Sequence, residues 1–379
     1  MTRLADSLRH ELQRWRTDPG LRTLMLWLPL LACALVLGIF QQRTVSALPI
    51  AVVDLDQSAL SRRLSAQIEA APAVRIAQYV TTTAATRESM VRGEIYAVVE
   101  FPRHFQRDII RGQQPKIGLL LNAQALAAAG AISSPITAVV LQAAGETSVN
   151  LRVQTGMPLP LAAAMAQPIR IEAHPLFNPG LDYAAYLGIA LIAACLHCFA
   201  FVHGARTIAG ESREWFGESR WRGLFGKLLA LTSWWAVWGS VLLFSCFAWL
   251  DLPPVSAPGW LVAGWAVMVI AYVCLGAFFA FLLPSHIAYS CISALAGPAL
   301  AFSGVTFPQG AMPLWPRLYG ESLPVTSFLH LQTKLVTEQV EVVYAQPQLL
   351  QLAVMAIFAL CLVCATYAWF LTRQRKGSP

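Results

Sequence analysis

The sequence predicts a mainly α-helical membrane protein with six transmembrane helices and one extracytoplasmic α/β domain inserted between the first two. Of its 379 residues, 56% are hydrophobic and only 12% are charged, whereas soluble domains average about a quarter charged residues. Residues 252–316 contain no Asp, Glu, Lys or Arg at all. Several apolar runs approach the roughly 20 residues that cross a bilayer as a helix.

Six of these apolar runs are predicted to span the membrane. The first, residues 23–42, follows an Arg-rich segment at residues 1–22, and the other five lie within residues 181–371, at 183–205, 228–250, 260–283, 287–302 and 349–371. This arrangement places every short basic segment, including the tail 372–379, on one side, which the positive-inside rule assigns to the cytoplasm. A signal peptide is the alternative for the first run, but the long amphipathic segment before it favours a retained helix.

The N-terminal segment 1–22 is predicted to form a cytoplasmic amphipathic helix that lies along the membrane surface. Its apolar face consists of Leu4, Leu8, Leu12 and Trp15, and Arg residues occupy the other face. Such a helix buries its apolar side at the level of the lipid headgroups.

Residues 43–180 form a polar block that is predicted to fold outside the cytoplasm. Four short β-type runs alternate with helical patterns up to residue 122, which is typical of a small α/β sheet. An Ala-rich helix over residues 123–153 and a linker over residues 158–168 follow. None of the 8 cysteines lies in this block, so no disulfide framework is expected there.

Two carboxylates at the end of the first predicted strand, Asp54 and Asp56, are candidates for a metal or catalytic site. The alternative is a strand-end turn in which Asp56 or Ser58 caps the next helix, and we favour it because short polar residues commonly cap helices. No His in the block is spaced to complete a metal site.

One charged loop, residues 203–227, is predicted between the second and third spans on the cytoplasmic side. Its charges of both signs are interleaved with aromatic residues, which favours a protein contact over a simple positive-inside anchor. The candidate contact residues are Arg206, Glu211, Arg213, Glu214, Trp215, Arg220 and Trp221. Before the last span, residues 303–328 contain many Gly and Pro residues and are predicted to form a broken extracytoplasmic segment.

Several kinds of chemistry are disfavoured by the sequence. The predicted spans lack the ionisable residues that ion-coupled carriers need at membrane depth, and no catalytic residue, metal site or cofactor site is expected. The chain has no Gly-x-x-x-x-Gly-Lys-Ser/Thr phosphate loop, so any energy from ATP must come from another subunit. The net charge of +7 is accounted for by membrane orientation, and nucleic-acid binding is not expected.

Six short motifs resemble the ABC-2 type permease family, in the branch with a large extracytoplasmic domain between the first and second spans. They are residues 16–19 (RTDP), 50–58 (IAVVDLDQS), 93–105 (GEIYAVVEFPRHF), 176–179 (LFNP), 219–227 (SRWRGLFGK) and 302–308 (FSGVTFP) with the prolines that follow. The family signature before the last span corresponds here to Ser303, Gly304, Phe307, Pro308, Pro313 and Pro324. The stretch 209–216 departs from the family's usual first cytoplasmic loop.

The resemblance implies a transport subunit in the bacterial inner membrane. Two permease chains, in a homodimer or heterodimer, would bind separate ATPase subunits that hold ATP and Mg²⁺ and would move a hydrophobic or amphiphilic substrate outward. The N-terminal helix and the loop at residues 206–221 would contact the ATPase, and an adaptor protein and outer-membrane channel would join at the outer domain. The alternative is a non-transporting receptor or assembly factor, although six spans exceed what anchoring requires.

Overall fold

The computed structural model of the protein describes residues 4–41, 46–111, 113–122, 125–166, 178 and 182–376. Two units share the chain. A helical unit comprises Met1–Arg43 and Pro175–Pro379, and an inserted unit comprises Thr44–His174.

The chain begins with three short helices, and Asp18 separates the first two. They are α1 Leu4–Thr17, α2 Pro19–Arg22 and α3 Leu28–Phe40, with a π-helical turn at Thr23–Trp27 between the last two. The Asp18 carboxylate accepts hydrogen bonds from the backbone N–H groups of Gly20 and Leu21, and Pro19 occupies the first helical position, where a missing N–H costs nothing. The first apolar helix therefore begins at Pro19, four residues before the predicted limit.

The inserted unit alternates strands and helices as predicted. Its elements are β1 Leu48–Asp54, α4 Ala59–Glu69, β2 Val74–Val80, α5 Thr83–Val91, β3 Ala97–Phe101, α6 Phe105–Ile110 and β4 Gly118–Leu121. The sheet order is β2-β1-β3-β4, with β1 parallel to both neighbours and β4 antiparallel to β3. The central strand β1 is buried on both faces, which explains why its sequence is almost continuously apolar.

The rest of the inserted unit is helical, and one prediction for it is wrong. The Ala-rich stretch forms α7, Leu126–Gln154, and its residues Ile132 and Ile136 are buried in the same core as the strands. The predicted linker at residues 158–168 instead contains a helix, α8 Leu159–Ala166, because leucine and alanine are strong helix formers. Helix α8 packs against α7.

The helical unit continues with a π-helical turn at Ala184–Gly188 and a series of longer helices. They are α9 Ile189–Ala209, α10 Arg213–Trp249, α11 Pro258–Leu282, α12 Ser285–Ala296, α13 Ala299–Phe302, α14 Leu314–Glu321, α15 Pro324–Gln332 and α16 Val342–Lys376. The predicted single span 287–302 is interrupted between α12 and α13, where Gly297 and Pro298 stand. Helix α16 extends beyond the predicted span 349–371 at both ends.

Within the described residues, seven helices are long and apolar enough to cross a membrane. They are Pro19–Phe40, Ala128–Gln154, Ala184–Ala209, Trp221–Trp249, Pro258–Leu282, Ser285–Phe302 and Val342–Arg373. Six correspond to the predicted spans. The additional one, Ala128–Gln154, belongs to α7, which packs against the sheet of the inserted unit, so its apolar residues have a partner without a bilayer.

Helices α9 and α11 cross closely through two glycines. A Cβ atom added at Gly204 would lie 2.5 Å from the carbonyl oxygen of Val273, and one added at Gly276 would overlap the carbonyl oxygen of Phe201. Small residues at such crossings allow backbones to approach closely, and packing between membrane helices depends on that approach.

Candidate functional site

The predicted cytoplasmic loop at residues 203–227 is not a loop. Helix α9 continues to Ala209 and helix α10 begins at Arg213, so only residues 210–212 connect them. The Ser212 side chain accepts a hydrogen bond from the backbone N–H of Trp215 and caps α10. Most of the predicted charged loop therefore lies on two helix ends.

Helix α1 packs against these helix ends with a different face from the predicted one. Ser7, Glu11 and Trp15, spaced four residues apart, are all buried, whereas Leu12 is 48% exposed. Leu8 is half-buried against the core, and the side chain of Leu4 lies outside the described residues. The prediction that all four apolar residues form one membrane-facing surface is therefore wrong for Trp15, which packs inside the protein.

Four charged residues from α1, the connection and α10 form a cluster at this packing surface. The Lys227 ammonium lies 2.5 Å from Glu11 Oε2 and 3.0 Å from Glu211 Oε1. The Arg14 guanidinium lies 2.7 Å from Glu211 Oε1 and 3.5 Å from Glu11 Oε2. Each cation thus contacts both carboxylates. We refer to Glu11, Arg14, Glu211 and Lys227 as the charged cluster.

Polar and aromatic side chains complete the surroundings of the charged cluster. Trp15 Nε1 and Thr207 Oγ1 donate hydrogen bonds to Glu11 Oε1 at 2.9 and 3.3 Å. The ring of Trp215 lies 4.6 Å from the Lys227 ammonium and stacks on His10, whose Nε2 is 3.1 Å from Glu211. The charges are therefore enclosed by hydrogen-bonding groups and by a cation–π contact, as buried ion pairs require.

Four residues of the predicted coupling loop are described with their side chains. Glu211 and Trp215 belong to the charged cluster and its surroundings, and Arg206 contacts Asp18 at 3.5 Å. Trp221 packs instead on Phe225 and Tyr367, away from the cluster. The side chains of Arg213, Glu214 and Arg220 lie outside the described residues.

The family-signature residues form the broken segment between α13 and α15. Gly304 has a left-handed backbone conformation (φ +90°). The carbonyl oxygen of the preceding residue, Ser303, accepts a hydrogen bond from His330 Nε2 at 2.9 Å. Pro308 and Pro313 immediately precede the 3₁₀ turn Gln309–Ala311 and helix α14, and Pro324 begins α15. Phe307 is half-exposed. The prolines therefore start new helical segments, as their missing N–H groups favour.

A family model described as "ABC-2 family transporter protein" matches residues 20–370. The chain belongs to this family. A search of the curated proteins finds no match to the chain.

Membership in the ABC-2 family makes the chain a component of a membrane transporter. Permeases of this family are typically the non-catalytic membrane part of an assembly in which separate ATPase subunits hydrolyse ATP. The helices long enough to span a bilayer agree with a multi-pass membrane protein.

Sequence reasoning missed Glu11 and Lys227 as parts of the ABC-2 permease's charged cluster. Glu11 is a single acidic residue in a helix whose amphipathic character is predicted from its Arg and Leu residues. Lys227 is the last residue of a predicted loop. A signal was present, because Ser7, Glu11 and Trp15 recur every four residues and therefore share one helical face. Lys227 also stands at the border of an apolar run, where a buried cation needs a carboxylate partner.

Two opposing influences act on the carboxyl group of Glu211. Burial by itself raises its pKa, but Lys227, His10 and Arg14 together outweigh burial and hold the pKa below its usual value. The stabilising contribution of ionised Glu211 is therefore complete above the ordinary Glu pKa, about 4.3, and is lost as the pH falls through the lower native value.

Acidification is expected to remove the difference between the parent protein and a Glu211→Gln variant. Their difference in thermal stability in detergent should stay constant above about pH 5 and shrink below it, because protonated Glu211 no longer pairs with the cations. Glu321→Gln, which alters an exposed pair with Arg317, is the control. A difference that persists unchanged at the most acidic pH tested would contradict this account.

Asp54 and Asp56 of the inserted unit act as turn and cap residues. Asp54 Oδ1 accepts hydrogen bonds from the backbone N–H groups of Asp56 and Gln57, and its Oδ2 accepts one from Ser61. Ser58 caps α4, which confirms the favoured alternative, while Asp56 accepts a hydrogen bond from the Gln106 N–H at the start of α6. Among the described residues, no group of three or more His, Cys, Asp or Glu is placed to hold a metal ion.

Replacing Asp56 with alanine should destabilise the inserted unit by about 1 kcal/mol, the usual effect of losing a helix cap. The start of α6 would lose the acceptor for the Gln106 N–H. Hydrogen exchange of α6 amides in the full chain would measure the effect. Asp108→Ala, which removes a carboxylate paired with Arg107 on the same helix, is the control and should leave the Gln106 amide protected.

Proposed function

We propose that the chain is the permease subunit of an ATP-driven exporter that moves a hydrophobic or amphiphilic substrate outward across the bacterial inner membrane. ATP and Mg²⁺ would be bound by separate ATPase subunits. These subunits would contact the cytoplasmic corner formed by α1, the connection at residues 210–212 and the first turns of α10.

The observation that carries this proposal is the charged cluster. It ties a peripheral helix and an interhelical connection to α10, which continues through residues 221–249 as a membrane-length helix. A force applied to the connection would therefore be transmitted directly into a spanning helix. A solvated anchor loop would not need buried charges, since removing charges from water carries a large energetic penalty.

The test is affinity purification of the tagged chain in mild detergent, followed by identification of the proteins bound to it. The double variant Arg213→Ala/Glu214→Ala alters the start of α10 and leaves Trp215 and the charged cluster intact. The matched control, Arg317→Ala/Glu321→Ala, removes the same residue types from an exposed pair on α14. An ATPase should co-purify with the parent and the control and be depleted from the first variant.

If no ATPase accompanies the folded parent protein, the exporter proposal fails. The inserted unit would then be tested as the ligand-binding part of a receptor or assembly factor. If an ATPase binds all three proteins equally, the permease role stands and the contact lies elsewhere than the start of α10.

The cargo class is inferred from the spanning helices. Each of the six helices that correspond to predicted spans contains a window of 18 residues with no more than two charged side chains, so these described helices offer few partners for a strongly charged substrate. An amphiphile that enters from the bilayer needs fewer such partners. Accumulation of a lipophilic dye in cells with and without the chain would test this class.

Orientation and partners follow from the same proposal. The termini would be cytoplasmic and the inserted unit would lie outside, where an adaptor protein and an outer-membrane channel would reach it. A fluorescent protein fused to the C-terminus should then fluoresce, and a phosphatase that is active only outside the cytoplasm should be active when fused near residue 43. Co-purification of an untagged copy with a tagged one would distinguish a homodimer from a heterodimer.

A further inference from the structure

The charged cluster contains two carboxylates that differ in how firmly they are held. Glu11 is fully buried, and two further donors, Trp15 Nε1 and Thr207 Oγ1, fix its Oε1 atom. Glu211 lies in the three-residue connection between α9 and α10, and its side chain retains 7% exposure. Besides the two cations, the half-exposed His10 contacts the Glu211 carboxylate. Glu11 is thus the fixed acid and Glu211 the acid on a short connection.

This difference matters because Lys227 has no access to water. Its side chain is fully buried, and an unpaired buried ammonium is strongly unfavourable. If Glu211 were the sole acceptor, any displacement of the connection would leave Lys227 and Arg14 without a counter-charge. With Glu11 in contact with both cations, at 2.5 and 3.5 Å, the connection can move while both cations keep a carboxylate.

We propose that Glu11 is a stand-by acceptor: it retains Lys227 and Arg14 when Glu211 leaves them, so the connection between α9 and α10 can move without unfolding the corner. This inference rests on the proposed function for the event that displaces Glu211, which is engagement of the ATPase at the start of α10. Glu11 and Lys227 are then positioning residues for coupling.

The geometry predicts different effects for the removal of each of the two acids. Removing Glu211 frees the connection but leaves Lys227 paired with Glu11, so α1 stays docked. Removing Glu11 leaves Glu211 as the only acid for both cations, so the corner is less stable and the connection cannot move without leaving both cations unpaired. If the cluster only held α1 in place, the loss of either acid would weaken the docking of α1.

The first experiment uses the purified chain without any ATPase and compares Glu11→Gln, Glu211→Gln and the control Glu321→Gln by hydrogen–deuterium exchange. In Glu211→Gln, amides at residues 210–212 should exchange roughly tenfold faster, while protection across α1 stays at the parental level. The control should change neither segment. Loss of α1 protection in Glu211→Gln would overturn the proposal, because Glu11 would then be insufficient to hold the corner.

The second experiment uses the complex with the co-purified ATPase. Glu11→Gln should bind as much ATPase as the parent but slow ATP hydrolysis several-fold, whereas Glu211→Gln should not slow it. Equal slowing in both variants, or a parental rate in Glu11→Gln, would overturn the proposal. Absence of any bound ATPase would overturn the proposed function instead, and the exchange experiment would still decide the role of Glu11.

Discussion

Replacing Lys227 with methionine should lower the free energy of unfolding by about 3–5 kcal/mol, the usual cost of removing one partner from a buried ion pair. Methionine matches the length of the lysine stem but leaves Glu11 and Glu211 with one cation, Arg14, between them. The loss should be measurable as a large drop in thermal stability in detergent. Lys116→Met, which changes an exposed lysine of the inserted unit, is the control.

A second variant separates the loss of charge balance from the loss of packing. The double replacement Glu11→Leu/Lys227→Met removes one acid and one base, leaves Arg14 paired with Glu211, and should be more stable than Lys227→Met alone. Buried ion pairs can often be exchanged for apolar residues of similar volume without loss, whereas stranding one charge is costly. A double variant that is less stable than the single one would show that the hydrogen bonds which Glu11 accepts from Trp15 and Thr207 outweigh the restored charge balance.

Replacing Gly276 with alanine should also be severely destabilising, by about 3 kcal/mol or more, although alanine normally favours helices. The added methyl group would overlap the Phe201 carbonyl oxygen and would lie 2.9 Å from the backbone nitrogen of Ala205. Both obstacles are backbone atoms of α9, so no side-chain rotation can relieve the clash, and the two helices must separate. Thermal unfolding in detergent would report the loss.

The matched control lies on the same helix. A methyl group added at Gly259 would meet nothing within 4 Å, so Gly259→Ala makes the same chemical change in open space and should be neutral or slightly stabilising. Equal losses in both variants would mean that the helix itself tolerates no substitution and that the α9–α11 crossing is not the cause. Unchanged stability of Gly276→Ala would show that the helices can move apart freely.

Local patterns determined much of the architecture. The alternation of β-type runs with helical segments from residue 48 to 121 predicted the strands and helices of the inserted unit, because period-two and period-3.6 patterns are local properties. Ser58 was recognised as a helix cap for the same reason. The bilayer-length apolar runs predicted the long helices of the helical unit, and ordered motifs predicted the ABC-2 family.

Local patterns could not show which elements pack together. The run at residues 128–154 is apolar enough to span a membrane, but Ile132 and Ile136 are buried in the core of the inserted unit, and composition cannot distinguish a lipid partner from a protein partner. Likewise, the charges at residues 203–227 suggested a cytoplasmic contact loop. They belong instead to two helix ends and a short connection. Lys227 and Glu211 can be buried there because each pairs with a residue of opposite charge.

The candidate site likewise combines residues that the sequence indicated with residues that only the tertiary structure brings to it. Trp215 and Glu211 were selected from the sequence because charges and aromatics alternate there, but their partners His10 and Arg14 are about 200 residues distant along the chain. Glu11 in the N-terminal helix and Lys227 beside an apolar run each have a local explanation as a surface charge. The sequence by itself therefore determined the family, the helices and the α/β insertion. Only the tertiary structure decided that these two charges meet, because a buried ion pair depends on residues that are distant in the chain and adjacent in space.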